Sequence, residues 1–195
     1  MNLFIFYCVF LITIFVIPSY TNYKRTGVNP FQFSKEETAI NYVGKAYKLI
    51  SFMAFVTVLI NAFIPEVMNY FNTVEYLQTN ILYWLGFSLL YFSFIWIYIA
   101  QRNMDDEWRI GIDNKNKVKL ITKGLFRISR NPIFFGIILM FVGLFLIIPN
   151  TITAIILFTG IIVIQIQVRL EEEFLLKELG EEYWNYRKKV KRWLF

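Results

Sequence analysis

Residues 124–173 read GLFRISRNPIFFGIILMFVGLFLIIPNTITAIILFTGIIVIQIQVRLEEE. Two apolar runs, 133–149 and 151–168, are separated by little more than Pro149 and Asn150. A membrane-crossing helix needs about 20 mostly apolar residues, and a Pro-Asn pair marks a turn. The stretch therefore predicts a tight hairpin of two membrane helices, each near the short limit for a span. Arg127, Arg130 and Asn131 stand at its entrance, and Arg169, Glu171, Glu172 and Glu173 stand at its exit. An antiparallel pair returns to the face it left, so these two polar clusters are neighbours.

Working outward, three more apolar stretches, roughly 2–19, 48–66 and 81–100, bring the expected number of spans to five. With 57% hydrophobic and 17% charged residues, the 195-residue chain is too apolar for an ordinary soluble domain. The first stretch has neither a basic leader nor a small-residue cleavage site, so we read it as a retained helix. Lys and Arg number five in residues 20–48, eight in 101–132 and seven in 169–195, which accounts for all twenty. Residues 67–80 and the 149–151 turn have none. Five spans put every basic region on one face and both neutral turns on the other. By the positive-inside rule this orients the N-terminus outside and the C-terminus in the cytoplasm. The net charge of +6 thus reads as a topology signal aided by anionic membrane lipid, not as a nucleic-acid footprint. There is no histidine, which excludes histidine acid–base chemistry and histidine-held metals, and the single cysteine, Cys8, excludes an internal disulfide. No metal is expected.

Between the spans, residues 20–48 read as a polar loop, and the RIGID and VKLIT arms of 109–122 as a short hairpin around NKNK. Residues 171–195 read as two short amphipathic helices interrupted at Gly180, with interfacial Tyr183, Trp184, Tyr186 and Trp193. The fold expected is an all-α integral membrane protein of about five transmembrane helices with a C-terminal cytosolic amphipathic helical segment, in one domain over 1–195.

The polar clusters have a plain structural reading. Asn is a favoured N-cap and Pro a favoured first helical residue, so Asn131-Pro132 serves to start a helix. Arg127 and Arg130 serve as positive-inside anchors, and the acids as a solvated helix segment. A functional reading exists beside it. A helix N-terminus offers free N–H groups, arginines can clamp a carboxylate bidentately, and glutamates accept from hydroxyls or an ammonium.

The motif GLFRISRNPIFFG, followed after one helical hairpin by RLEEEFLLKELGEEYWNYRKKVKRWL, resembles the isoprenylcysteine carboxyl methyltransferase and phospholipid N-methyltransferase superfamily of integral-membrane methyltransferases. Gly124, Phe126, Arg130, Asn131, Pro132, Phe134 and Gly136 fit its first half. Glu171, Glu172, Leu175, Leu179, Gly180, Tyr183 and Tyr186 fit its second. The resemblance covers about residues 100–195, the half it implies to be cofactor-binding. It implies S-adenosyl-L-methionine bound on the cytosolic side. Arg130 and Asn131 would lie near the methionine end, and Glu171 or Glu172 would hold a polar group. Phe126 and Phe134 would form walls, and Gly124, Pro132 and Gly136 complete the motif. Arg169 and Glu172 are the implied catalytic pair. A lipid-soluble acceptor would arrive sideways from the bilayer.

Departures from the family pattern limit what transfers. Many members have His where this chain has Asn131, and Tyr where it has Phe126 and Phe134. Asn cannot titrate near neutrality, so Asn131 positions without acting as a base. Arg169 stands closer to the acid pair than the pattern has it. The reading favours carboxyl O-methylation of a lipidic or isoprenoid acceptor slightly over N-methylation of a phospholipid amine. The contrasting reading is a non-catalytic membrane scaffold that keeps the fold. A carrier is disfavoured, since no charged residue falls deep in a span.

Overall fold

The computed structural model describes residues 3–27, 38–104 and 119–194. The first apolar stretch is a single rod, in which α1 (Leu3–Leu11) passes through a π-helical turn (Ile12–Val16) into α2 (Ile17–Thr26). It stops at Gly27, whose φ of +67° is the left-handed cap favoured by glycine and whose N–H reaches Tyr23 O at 2.9 Å. The following elements are α3 (Ala39–Phe63), α4 (Asn80–Met104), α5 (Pro132–Ile147), α6 (Thr151–Leu179) and α7 (Glu181–Lys189). Among the described residues the only other regular pieces are 310 turns at Pro65–Tyr70, Glu75–Leu77 and Gly124–Arg127, and there is no strand.

The first rod, α3, α4 and α6 are each long and apolar enough to cross a membrane, and α5 is a shorter apolar helix of 16 residues. At 1.5 Å per residue α5 is about 24 Å long, less than the roughly 30 Å of a bilayer's hydrocarbon. The protein is an all-α integral membrane protein, as expected. The helices overrun the expected spans. Helix α3 starts at Ala39, where Thr38 Oγ1 accepts from Asn41 N at 3.3 Å, and ends before Pro65. Helix α6 continues to Leu179, because the Leu, Glu and Lys of 170–179 are strong helix formers. The first of the two expected C-terminal helices is therefore a prolongation of the last span. Gly180 makes the break before α7, at φ +53°. The hairpin expected over 109–122 falls largely outside the described residues.

Helices α4 and α5 meet at their backbones. A Cβ on Gly86 would lie 2.8 Å from Gly143 O, and one on Gly143 the same distance from Gly86 O. Small residues permit this approach where lipid offers no hydrophobic drive. Nearer the other end Ser93 Oγ donates to Gly136 O at 2.6 Å, and Trp96 Nε1 to Pro132 O at 2.9 Å. Both neutral turns share one end of the bundle, since Val74 N donates to Pro149 O (2.8 Å) and Thr151 N to Phe71 O (3.0 Å). Asn150 and Thr153 form a reciprocal capping box that starts α6. The opposite end holds the entrance to α5, the extension of α6 and α7.

Candidate functional site

The turn into α5 has little freedom. Gly124 has φ +58°, and a Cβ there would fall 2.0 Å from Asn103 Oδ1 at the end of α4. The same Oδ1 accepts from Leu125 N at 2.9 Å, which fastens the turn to α4. Phe126 is buried, and its carbonyl accepts from the Tyr186 hydroxyl of α7 at 2.6 Å. Asn131 holds the N-cap position and Pro132 the first helical one, but the Asn131 side chain makes no cap hydrogen bond. It reaches instead to α6.

Glu172, only 3% exposed, is the centre of that contact. Arg130 grips it with Nε on Oε1 (3.1 Å) and Nη2 on Oε2 (3.0 Å). Arg192 does the same from the C-terminal segment, at 3.2 and 2.9 Å. Asn131 Nδ2 adds a fifth donor on Oε1 at 3.0 Å. A carboxylate offers about four lone-pair sites, so Glu172 is saturated. Arg130 Nη1 also donates to Val190 O and, at 3.3 Å, to Arg187 O, which terminates α7. Arg130 N meets Lys191 O at 2.9 Å, and Ser129 Oγ meets Arg192 O at 3.1 Å. Burial by itself would raise the Glu172 carboxyl, but the hydrogen bonds from Arg192 and Arg130 outweigh it and hold the group below the usual carboxylate range. The bond to Glu172 in turn raises the Arg192 guanidinium. Tyr183 is buried nearby, and burial, reinforced by the charge of Glu172, pushes its hydroxyl up to about 12. The cluster is an ionised latch that ties α5, α6 and residues 190–192 together.

Beside the latch lies a cavity of about 380 Å³, within the range of small-molecule sites. The first rod, α3, α4, α5 and α6 all contribute to its wall, which is mainly apolar. Of the residues singled out in the sequence, Phe126, Arg130, Asn131, Pro132, Phe134 and Glu171 border it. Gly124, Gly136 and Glu172 do not. Gly136 lets α4 approach, since a Cβ there would fall 2.4 Å from Ile97 Cγ1. Arg169 is exposed, its Nη1 turned back onto Gln165 O (2.7 Å) and Oε1 (2.8 Å) of its own helix. The implied pair of Arg169 and Glu172 is thus not brought together. Glu171, past the apolar part of α6, faces the cavity. Burial raises its carboxyl to about 7 against a hydrogen bond from Gln167, and the charge of Glu172 adds to the rise.

Sequence reasoning missed Tyr47, Lys48 and Ser51 of α3, Gln101 of α4 and Gln167 of α6, all of which line the cavity. The two glutamines carried a readable signal, as amides in otherwise apolar spans. Arg192 carried none: among seven basic residues after position 168 nothing in the sequence marks it out. Among the described residues no group of three His, Cys, Asp or Glu could hold a metal ion.

No curated protein matches the chain significantly. A family model described as phospholipid methyltransferase matches residues 81–182, from the start of α4 to the start of α7. The matched stretch includes the turn at Gly124, the α5–α6 hairpin, three of the four side chains of the latch (Arg130, Asn131 and Glu172) and the neighbouring Glu171. The chain therefore belongs to the phospholipid methyltransferase family, within the superfamily of integral-membrane methyltransferases that act on lipids.

Proposed function

We propose that the protein uses S-adenosyl-L-methionine to methylate a lipidic acceptor at the cytosolic end of its helical bundle. The observation that carries this reading is the cavity itself. It is about 380 Å³, walled mainly by apolar side chains, and lined also by Arg130, Asn131 and Glu171 beside the latch. Bound there, the cofactor would supply an electrophilic methyl group. Asn131, Phe126, Phe134 and Glu171 are the residues we assign to holding it.

The role of Arg130 is narrower than the motif implies. Its guanidinium has five N–H donors, and four contacts run to Glu172, Val190 O and Arg187 O. One remaining donor can reach a ligand, but the bidentate fork is already occupied by Glu172. Glu172, saturated and held ionised, has no lone pair for a proton. Glu171 is the cavity's own candidate for that task. Its carboxyl, raised to about 7, suits accepting a proton from an ammonium acceptor near neutrality. A carboxylate acceptor attacks already ionised and needs no base. In either case the residues contribute alignment and exclusion of water, and alignment alone supplies up to about 7–11 kcal/mol in well-oriented systems.

The test begins with binding. Protein purified in detergent is expected to bind S-adenosylhomocysteine with a micromolar or tighter dissociation constant, and no binding at millimolar ligand overturns the proposal in favour of a scaffold. Membranes incubated with methyl-labelled donor then identify the acceptor. A base-labile label indicates a carboxyl ester, and a base-stable label in a polar head group indicates an amine.

A further inference from the structure

Gly44, Tyr47, Lys48 and Ser51 of α3 line the cavity. Their spacing puts all four on one face of the helix. Lys45 and Leu49, on the faces between, are exposed and do not line it. Lys48 is therefore carried on the cavity side of α3, and it is exposed rather than packed. Its ammonium offers three rotatable donors at the end of a flexible four-carbon stem. Among the described residues the charged side chains that line the cavity are Lys48, Arg130 and Glu171. Arg130 and Arg192 share the single carboxylate of Glu172, so the latch behind Arg130 has one positive charge in excess. Glu171, its carboxyl raised to about 7, offsets only part of the total near neutrality. A mainly apolar cleft with surplus positive charge concentrates anions, because its low-dielectric walls focus the field. The fork of Arg130 is closed on Glu172, which leaves Lys48 as the lining cation outside the latch.

We infer that Lys48 anchors an oxyanion subsite in the cavity and sets its specificity, receiving an anionic group of the ligand from α3 while Glu171 faces the same chamber from α6. The inference rests on the methyltransferase reading and adds a specificity-determining residue to it. Two ligands of that reading carry an oxyanion: an acceptor lipid with a phosphate, and the methyl donor with its carboxylate. The position of Lys48 favours the acceptor. It lies on α3, outside the matched stretch 81–182 and outside the half that the motif ties to the donor. A phosphate on Lys48 would also leave the amine of a zwitterionic head group for Glu171, on the helix packed against α3.

The test uses the full chain with Lys48→Met, Lys48→Arg and, as a control, Lys45→Met, which removes the same charge from a face of α3 that does not line the cavity. One readout is S-adenosylhomocysteine binding by calorimetry. The other is the KM for phosphatidylethanolamine in mixed micelles under saturating donor. The expected result is at least a tenfold rise in KM in Lys48→Met with S-adenosylhomocysteine affinity unchanged, restored largely by Lys48→Arg and absent from Lys45→Met. That result assigns the subsite to the acceptor's phosphate. At least a tenfold loss of S-adenosylhomocysteine affinity in Lys48→Met supports the subsite and assigns it to the donor's carboxylate. Equal effects of Lys48→Met and Lys45→Met, or both readouts within twofold of wild type in Lys48→Met, overturn the subsite, reduce Lys48 to a positive-inside anchor and leave the methyltransferase reading standing. A wild type that binds S-adenosylhomocysteine no better than Lys48→Met and transfers no methyl to phosphatidylethanolamine overturns the subsite as well. A wild type that neither binds S-adenosylhomocysteine nor transfers methyl overturns both. Lys48 is exposed, so thermal unfolding is expected to be unchanged, and Lys48→Gln takes the place of Lys48→Met if that variant fails to fold.

Discussion

At the scale of single residues, the two adjacent glutamates of α6 have opposite fates. Glu172 accepts from two guanidiniums and an amide, while Glu171 faces the cavity. Removing one partner of a buried ion pair leaves the other uncompensated, at about 3–5 kcal/mol. Glu172→Gln is therefore expected to lower the thermal unfolding temperature of the ligand-free protein clearly, with Arg130→Lys, which loses the planar fork, in the same direction. Unchanged unfolding in both variants would remove the latch from the account. The pH dependence of stability carries the same contrast. Glu172 has a folded pKa below its unfolded value of about 4.3. Its contribution is fully present above that value and is lost as pH falls through the lower folded one. Glu171 has the reverse sign: raised to about 7, it contributes stability below its unfolded pKa that is lost as pH rises through 7. Unfolding temperatures measured from pH 5 to 9 are expected to decline up to about pH 7 and then level off in wild type, and to decline less over that window in Glu171→Gln. An identical decline in both would assign it to another group. The sequence allowed the acid pair to be seen but not told apart. Which glutamate faces a cavity depends on helix phase, and which one is saturated depends on Arg192, twenty residues away and past Tyr186, the last position matched to the family pattern.

At the scale of elements, the α5–α6 hairpin was legible because Pro149-Asn150 interrupts an apolar run and nothing else does. Its capping box, Asn150 with Thr153, was present in the letters as well. Helix ends were less legible. Residues 169–179 are polar, so hydropathy ends the span there, yet their helix propensity carries α6 on to Gly180. The Asn131 side chain shows the opposite limit: a favoured N-cap type at the N-cap position, it nonetheless bonds Glu172 on another helix, because tertiary partners override local preference. The closest helix contact was also hidden. Gly86 and Gly143 are 57 positions apart and become partners only when α4 and α5 pack. Adding a methyl at such a backbone contact forces the helices apart, at about 1–3 kcal/mol. Gly143→Ala is expected to lower the unfolding temperature, whereas Gly180→Ala, where a Cβ meets nothing within 4 Å, is strained only through its φ of +53°. A smaller drop for Gly143→Ala than for Gly180→Ala would refute the tight α4–α5 crossing.

At the scale of the whole molecule, the charge pattern and the hydrogen bonds agree on which turns share an end. The 67–80 connection and the 149–151 turn, both without Lys or Arg, are joined by Val74 N to Pro149 O and Thr151 N to Phe71 O. The basic entrance of α5 and the basic C-terminal segment are joined through Arg130, Ser129 and Arg192 at the other. Geometry alone leaves the bundle free to face either way. The direction expected from the positive-inside rule puts the end with the Lys and Arg in the cytoplasm, which is also the side from which the proposed water-soluble cofactor would reach the cavity. Labelling can decide it, since Cys8 is the chain's one cysteine and a Cys8→Ser background is blank. Single cysteines at Thr73 and Thr151 are expected to react with a membrane-impermeant maleimide added outside intact cells. Those at Lys123 and Lys189 are expected to react only after the membrane is opened. The reverse pattern would turn the bundle over and put the latch end outside the cytoplasm. Reaction at Thr73 without reaction at Thr151 would break the shared end itself, and with it the helix packing that brings the latch and the cavity together.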